Sequence, residues 1–369
     1  MVGPLRIAQV APLYERVPPL RYGGTERVVS YLTEGLVESG HDVTLFASGD
    51  SLTRAELIPG ARRGLRLEPL GYDAIALHLG MLLQVYDRAA EFDVIHCHTD
   101  YLGLPLARAS RVPTLLTLHG RLDLPDAHPV YRAVPGAGFV SVSDAQRAPL
   151  TDVRWAATVY HGLPPDLYRF HPTPGRYLVF LGRISPEKQT DAAIRIAVQA
   201  GIPLKIAAKV DRADAEYFAT VVRPLLDHPL VEYLGEVDDG AKGELLGHAL
   251  ALLFPIDWPE PFGLALIEAF ACGTPVIARP RGSVPEIVSD GRTGLLCETE
   301  KQMAAATTRV ASLSRAACRS EFEERFTVRS MVNAYERVYE AERVRAAVAR
   351  TEKGKAMRAS AAERVAGSA

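Results

Sequence analysis

Only four cysteines, Cys97, Cys272, Cys297 and Cys318, occur in 369 residues, and none forms a C-x-x-C pair or a zinc-ligand spacing. That excludes a disulfide scaffold and a cysteine-built zinc knuckle, and leaves reduced, mostly buried thiols of a cytoplasmic protein as the expectation. Net charge is scarce too: 42 Lys and Arg stand against 44 Asp and Glu, so there is no general attraction to nucleic acid or anionic lipid. No apolar run reaches the ~18–20 residues of a membrane-spanning helix. Met1 leads through Val2, Gly3 and Pro4 into a strand, without the basic and then apolar leader of a secretory signal. A chain of this length that is 48% hydrophobic and 23% charged is an ordinary globular protein, and two domains are the natural expectation.

The most informative stretch runs from Glu260 to Ala278, EPFGLALIEAFACGTPVIA. Residues 260–263 are too rich in Pro and Gly for regular structure, 264–271 are good helix formers, and 276–278 read as a short buried strand. Glu268 sits inside an otherwise apolar helix, where a carboxylate is costly unless something hydrogen-bonds to it. Glu260 lies just before the helix N-terminus, whose unpaired N–H groups, near Phe262, Gly263 and Leu264, favour an anion. Two carboxylates able to accept from sugar hydroxyls thus flank a phosphate seat, which suits a nucleotide-sugar.

Two glutamates separated by seven residues within E-P-F-G-L-x-x-x-E-A-F-A-C-G-T-P-V-I-A resemble the signature of glycosyltransferase family 4, retaining enzymes of the two-domain GT-B architecture. A bare E-x7-E is weak; the flanking P-F-G and A-C-G-T-P-V make it specific. FLGRISPEK, residues 180–188, is a second resemblance, and in the family its arginine and lysine, here Arg183 and Lys188, hold the donor diphosphate. The sequence has no D-x-D, the metal and diphosphate holder of the other common glycosyltransferase architecture; Asp238 and Asp239 are adjacent. The resemblance spans the chain to about residue 340.

In chain order, residues 5–10 read as a strand, 11–24 as a Pro- and Gly-rich loop, and 26–38 as a helix with Thr25 as its cap. Further strands are expected at 43–47, 93–98, 114–118 and 138–142, with a helix over 74–90. Gly23 and Gly24 let the backbone approach a ligand at the carboxyl end of the first strand, although G-x-G-x-x-G is absent. They resemble the family's glycine loop facing the donor diphosphate; a plain tight turn is the other reading. Arg54, Arg62, Arg63 and Arg66, diluted by Glu56 and Glu68, leave peripheral membrane contact open without indicating it. His96 and His98, two apart, point to one face of a strand, as in an H-x-H metal pair. His119 closes a strand and resembles the histidine that many family members place beside the donor sugar. His161 stands where many relatives have asparagine, and a donor contact there is in doubt.

A Pro-rich linker, 163–174, separates the halves. Strands at 177–181, 204–208, 231–234, 251–254, 276–278 and 294–297 with helices between them predict a second doubly wound sheet. Gly182 lies at the end of the first of these. The exit near Gly235, Glu236 and Val237 resembles the family segment whose backbone reads the nucleotide base, and Gly282, Ser283 and Glu286 are expected to close the sugar pocket. Residues 326–350 form a polar helix that, in this architecture, crosses back to the first domain.

The expected fold is therefore α/β: an acceptor-side Rossmann-like domain over 1–165, a nucleotide-sugar domain over 166–325, and a C-terminal helix and tail over 326–369. The implied activity is retaining, metal-independent transfer of a hexosyl group from a UDP-sugar to an unidentified hydroxyl. Arg183 and Lys188 would stabilise the leaving diphosphate, Glu260 with 262–264 would hold the donor sugar, Glu268 the ribose, and His119 with Gly24 would complete the pocket. No cofactor is implied beyond the donor, and no metal. A sugar-nucleotide epimerase of the same fold, a metal-dependent hydrolase using His96, His98, His119 and Asp100, and a non-catalytic sensor are the rivals.

Overall fold

The computed structural model describes residues 3–67 and 72–366, with side chains as far as residue 352. Glu68 lies outside the described residues.

Seven parallel strands form the first sheet: β1 (Arg6–Val10), β2 (Asp42–Ser48), β3 (Glu56–Ala61), β4 (Val94–Cys97), β5 (Thr114–Leu118), β6 (Gly138–Ser141) and β7 (Trp155–Thr158). Their spatial order is 3-2-1-4-5-6-7. Six more form the second sheet: β8 (Leu178–Ile184), β9 (Leu204–Val210), β10 (Val231–Gly235), β11 (Ala251–Phe254), β12 (Val276–Ala278) and β13 (Gly294–Leu296), in the order 10-9-8-11-12-13. Both sheets reverse their winding direction beside their first strand, between β1 and β4 and between β8 and β11. Loops leaving adjacent strands there diverge to opposite faces, so a crevice opens at the carboxyl ends.

Eight helices of eight residues or more occur among the described residues: α1 (Gly24–Glu38), α2 (Ala74–Asp87), α3 (Thr190–Ala200), α4 (Asp239–Gly247), α5 (Leu264–Ala271), α6 (Glu300–Val310), α7 (Arg315–Arg325) and α8 (Val328–Ala366). α5 falls on the residues its composition predicts. α1 begins two residues earlier than expected: Gly23, at φ 151°, is its cap, and Thr25 lies inside the helix without a capping role. The helix expected over 74–90 ends at Asp87, and Asp73 caps its start by accepting from Ile75 and Ala76 at 3.0 Å.

Three elements depart from the sequence reading, the first being β7, an edge strand that was not expected. β3 was not foreseen, because Pro59 and Gly60 interrupt its pattern; both are tolerated because it is the edge strand, paired to β2 alone. α8 is longer than expected and is not polar all round. Met331, Val332, Tyr335, Val338 and Tyr339 form an inward stripe at helical spacing, buried with Ile7, Val28, Leu32, Leu115 and Val140 of the first half. The helix that follows the second sheet in sequence is therefore part of the first half's core.

Candidate active site

A cleft of about 700 Å³ lies where the carboxyl ends of the two sheets face each other. Of the residues singled out from sequence, Gly23, Gly24, His119, Gly182, Arg183, Lys188, Glu236, Val237, Glu260, Phe262, Gly263, Leu264 and Glu268 all line it. Gly235 does not: it ends β10 in the left-handed region, φ 68°, and turns the chain so that the next two residues reach the cleft. Gly282, Ser283 and Glu286 do not line it either. Ser283 Oγ instead donates to the Phe262 carbonyl at 2.7 Å, which holds the loop that does.

The starts of α1 and α5 meet across the cleft, with the Leu264 side chain against the backbone of Gly24. Gly263 caps α5 at φ 86° and no side chain caps it, so the first N–H groups of that helix keep their capacity for an anion. Lys188 reaches the same end. Its ammonium pairs with Glu260 and lies 4.8 Å from the centre of the Trp258 ring, while Trp258 Nε1 donates to Glu260 at 2.8 Å. Arg183 emerges from β8 itself, since the strand runs through Ile184 rather than turning at Gly182. It is held by Glu187, by Asp214 at 3.4 Å and by Asp211 at 3.7 Å.

Glu268 is 4% exposed on an apolar helix, and the hydrogen bonds its burial demands come from Lys242 Nζ at 2.7 Å and Tyr168 Oη at 3.3 Å. Lys242 also pairs with Asp239 at 3.1 Å, and Asp239 pairs across the cleft with Arg27 of α1. Burial, and then the Glu268 charge, push the Tyr168 hydroxyl far above the ordinary phenol range, so it stays a donor. None of Tyr168, Lys242, Arg27 and Trp258 was foreseen. The signal for Trp258 was at hand, two residues before Glu260; the others join elements too distant in sequence to be paired by reading it.

The histidines form a buried string. His96 bonds through both ring nitrogens, to Tyr339 Oη at 2.8 Å and Thr117 Oγ1 at 2.7 Å, and is fully buried. No ring nitrogen of His96 is left for a metal, which removes the H-x-H reading. His98 Nε2 meets Gln9 Oε1 at 2.9 Å and His98 Nδ1 meets His119 Nε2 at 2.8 Å. With the Gln9 amide NH2 facing Tyr339, the carbonyl oxygen must accept from His98 Nε2–H. His98 Nδ1 then accepts from His119 Nε2–H, and His119 Nδ1 is left as a bare acceptor. That atom is buried without a protein partner, as is Nδ1 of His161, whose ring stacks on His119 at 5.2 Å; both histidines line the cleft. Burial lowers all four: His96 and His119 to about 3, and His98 and His161 well below the ordinary imidazole value. Asp100, open to the cleft yet ringed by protein, is raised by burial to about 6.

Glu286 joins the two halves at the rim. It accepts from the backbone N–H groups of Asp144 at 2.8 Å and Ala145 at 2.6 Å, and from Tyr160 Oη at 3.1 Å. Hydrogen bonds to a charged acceptor contribute roughly 1.5–3 kcal/mol. Glu286→Ala is accordingly expected to populate a more open form, read as an increased radius of gyration in small-angle scattering. An unchanged scattering curve would mean that the halves are held together without it.

Two family profiles match this chain: "Glycosyltransferase Family 4" over residues 22–183 and "Glycosyl transferases group 1" over residues 169–327. The chain belongs to glycosyltransferase family 4. Among curated relatives of this glycosyltransferase, the phosphatidyl-myo-inositol mannosyltransferase of Mycobacterium leprae is 25% identical over 354 residues, covering 86% of this chain and 90% of that one. The alpha-maltose-1-phosphate synthase of Mycolicibacterium smegmatis is 28% identical over 337 residues, covering 78% and 84%. Among solved structures, AviGT4, a glycosyltransferase involved in avilamycin A biosynthesis, superposes with a TM-score of 0.68 at 25% identity over 92% of this chain and 98% of that one. HepE of Anabaena, solved in complex with UDP and glucose, gives 0.72 at 17% identity over 91% and 100%. The two facing sheets are thus the GT-B architecture. No helix among the described residues is long and apolar enough to cross a membrane.

Proposed function

We propose that this glycosyltransferase transfers a hexosyl group from a UDP-sugar to an acceptor hydroxyl with retention of anomeric configuration and without a metal, in the cytoplasm. The observation that carries the reading is the convergence on one cleft of Arg183, Lys188 and the uncapped start of α5, with Glu260 and Glu268 on either side. Breaking the bond between the anomeric carbon and the phosphate oxygen leaves a nucleoside diphosphate, whose charge needs fixed positive partners. Two cations and a helix N-terminus provide these where other architectures use a metal.

Glu268, paired with Lys242, is suited to accept from ribose hydroxyls, and Glu236 and Val237 to flank the base. Glu260 and the bare Nδ1 of His119 are suited to hydroxyls of the donor sugar. The acceptor oxygen bonds the anomeric carbon on the face the diphosphate leaves. The acceptor proton passes to the departing phosphate oxygen, so no protein nucleophile is consumed. UDP in the crystal structures of HepE supports the choice of nucleotide.

The test is thermal unfolding with UDP, GDP or ADP, each with and without chelator. A ligand at 100 times its dissociation constant adds about 2.7 kcal/mol to stability. UDP alone is expected to raise Tm, by the same increment with and without chelator; stabilisation by GDP in its place would refute the donor assignment. Incubating a UDP-sugar without acceptor separates the epimerase alternative, which would convert the sugar where a transferase leaves it intact or slowly hydrolysed.

A further inference from the structure

We infer that the protein carries a divalent transition-metal site, with a donor set suited to Zn²⁺, formed by His171, Glu244 and His248 outside the cleft. One ligand atom from each of these residues falls within 4.8 Å of the other two. They come from separate segments: His171 from the linker between the halves, Glu244 from α4, and His248 from its C-terminal cap. None of the three lines the cleft. Lys242 does, and on a helix Glu244 and His248 stand about 200° and 240° further round the axis, on the opposite face.

Two independent features favour a metal over a chance cluster. His171 Nε2 is buried without a hydrogen-bond partner, in a ring pressed against the backbone of Gly247, where a Cβ would lie 2.5 Å from that nitrogen. Its backbone is fixed on both sides, N–H donating to the Cys272 carbonyl at 3.0 Å and carbonyl accepting from Arg315 Nε at 2.5 Å, so the ring is presented from a rigid support. Secondly, His248 Nδ1 lies 3.0 Å from the Glu244 backbone carbonyl and, more loosely, 3.5 Å from its carboxylate, neither of which can donate. Nδ1 therefore carries the proton of the neutral ring and Nε2 the free lone pair, the arrangement by which a carbonyl orients a metal-bound histidine.

Two imidazoles and a carboxylate match an open tetrahedral zinc site, with water as fourth ligand. Bonds of about 2.0–2.1 Å need the ligand atoms drawn closer than they stand. The Glu244 and His248 side chains, 67% and 59% exposed, can make that movement while His171 stays fixed. A bound ion would tie the linker to α4, the helix whose other face holds Arg27 through Asp239 and Glu268 through Lys242. Its role is that of a staple, and no step of the transfer passes through it.

The test is Zn²⁺ titration of the full chain by calorimetry, with thermal unfolding alongside. One Zn²⁺ per chain at micromolar Kd and a higher Tm are expected. His248→Ala and Glu244→Gln, both at exposed positions, should each weaken binding about 10-fold or more. His171→Ala should abolish it, and His119→Ala, which alters the histidine string in the cleft, should leave it intact. No saturable binding, binding unaffected by His248→Ala and Glu244→Gln, or binding lost only with His119→Ala would each overturn the site.

Discussion

Lys188→Ala is expected to lower turnover by about 100-fold or more, the scale on which removal of an oriented charge-stabilising group is felt. The ammonium sits between Glu260 and the Trp258 ring with its side chain only 17% exposed, so it is positioned before the donor arrives. Its pairing with Glu260 has two consequences. Donor binding must share the cation between carboxylate and diphosphate, so its attraction strengthens as the leaving group gains charge, and the loss should fall on kcat more than on KM. Removing the lysine also leaves the Glu260 side chain, 9% exposed, with Trp258 as its one side-chain hydrogen-bond partner among the described residues, so Lys188→Ala/Glu260→Gln should be more stable than Lys188→Ala while remaining as slow. Glu268→Ala is expected to be comparably slow but with a raised KM for donor, because a ribose contact is made already in the ground state. Kinetics like the wild type in both single variants would defeat the assignment of this cleft.

What the sequence discloses and what it withholds divide along a physical line. Glu260, Glu268, Arg183 and Lys188 were legible because each lies in a short motif whose local structure is dictated by its neighbours: a Pro-Gly turn into an apolar helix, and a strand into a turn. Both sheets were legible for the same reason, from buried strands alternating with helices. The partners that hold these groups were not. Arg27 meets Asp239 and Gln9 meets Tyr339, pairs joined by the docking of one half on the other or by the return of α8, and no local pattern registers that. Glu286 shows the converse error: its place after β12 suggested a sugar-pocket residue, but the docked first half turns it to Asp144 and Tyr160. His96 and His98 do lie side by side, although the strand ends at Cys97 and His98 is the first residue beyond it. The chemistry of His96 was decided by Thr117 and by Tyr339 of the last helix, and that of His98 by Gln9 and His119.

The same string of histidines gives the second large expected effect, a steep loss of stability in mild acid. In the unfolded chain a histidine takes up its proton near pH 6.5, whereas burial holds His96 and His119 to about 3 in the folded chain and His98 and His161 well below the ordinary value. Between these limits the unfolded state binds more protons, so stability is complete above about pH 6.5 and falls as pH is lowered toward the folded values. Each such group contributes a slope of up to about 1.4 kcal/mol per pH unit, so the four together have an upper limit of about 5.6 kcal/mol per unit, against a total stability on the order of 5–15 kcal/mol. Tm should therefore be level from pH 8 to 7 and drop sharply between pH 6.5 and 5. Most carboxylates, with unfolded values near 4, contribute little in that window; Asp100, raised by burial to about 6, opposes the fall and offsets up to one histidine's share of the slope. A Tm independent of pH down to 5 would mean that the histidines are solvated or already protonated in the folded protein. His161→Asn tests the cause: asparagine cannot titrate, and Nδ1 of His161 has no protein partner to lose, so the variant should fold and show a slope shallower by about a quarter.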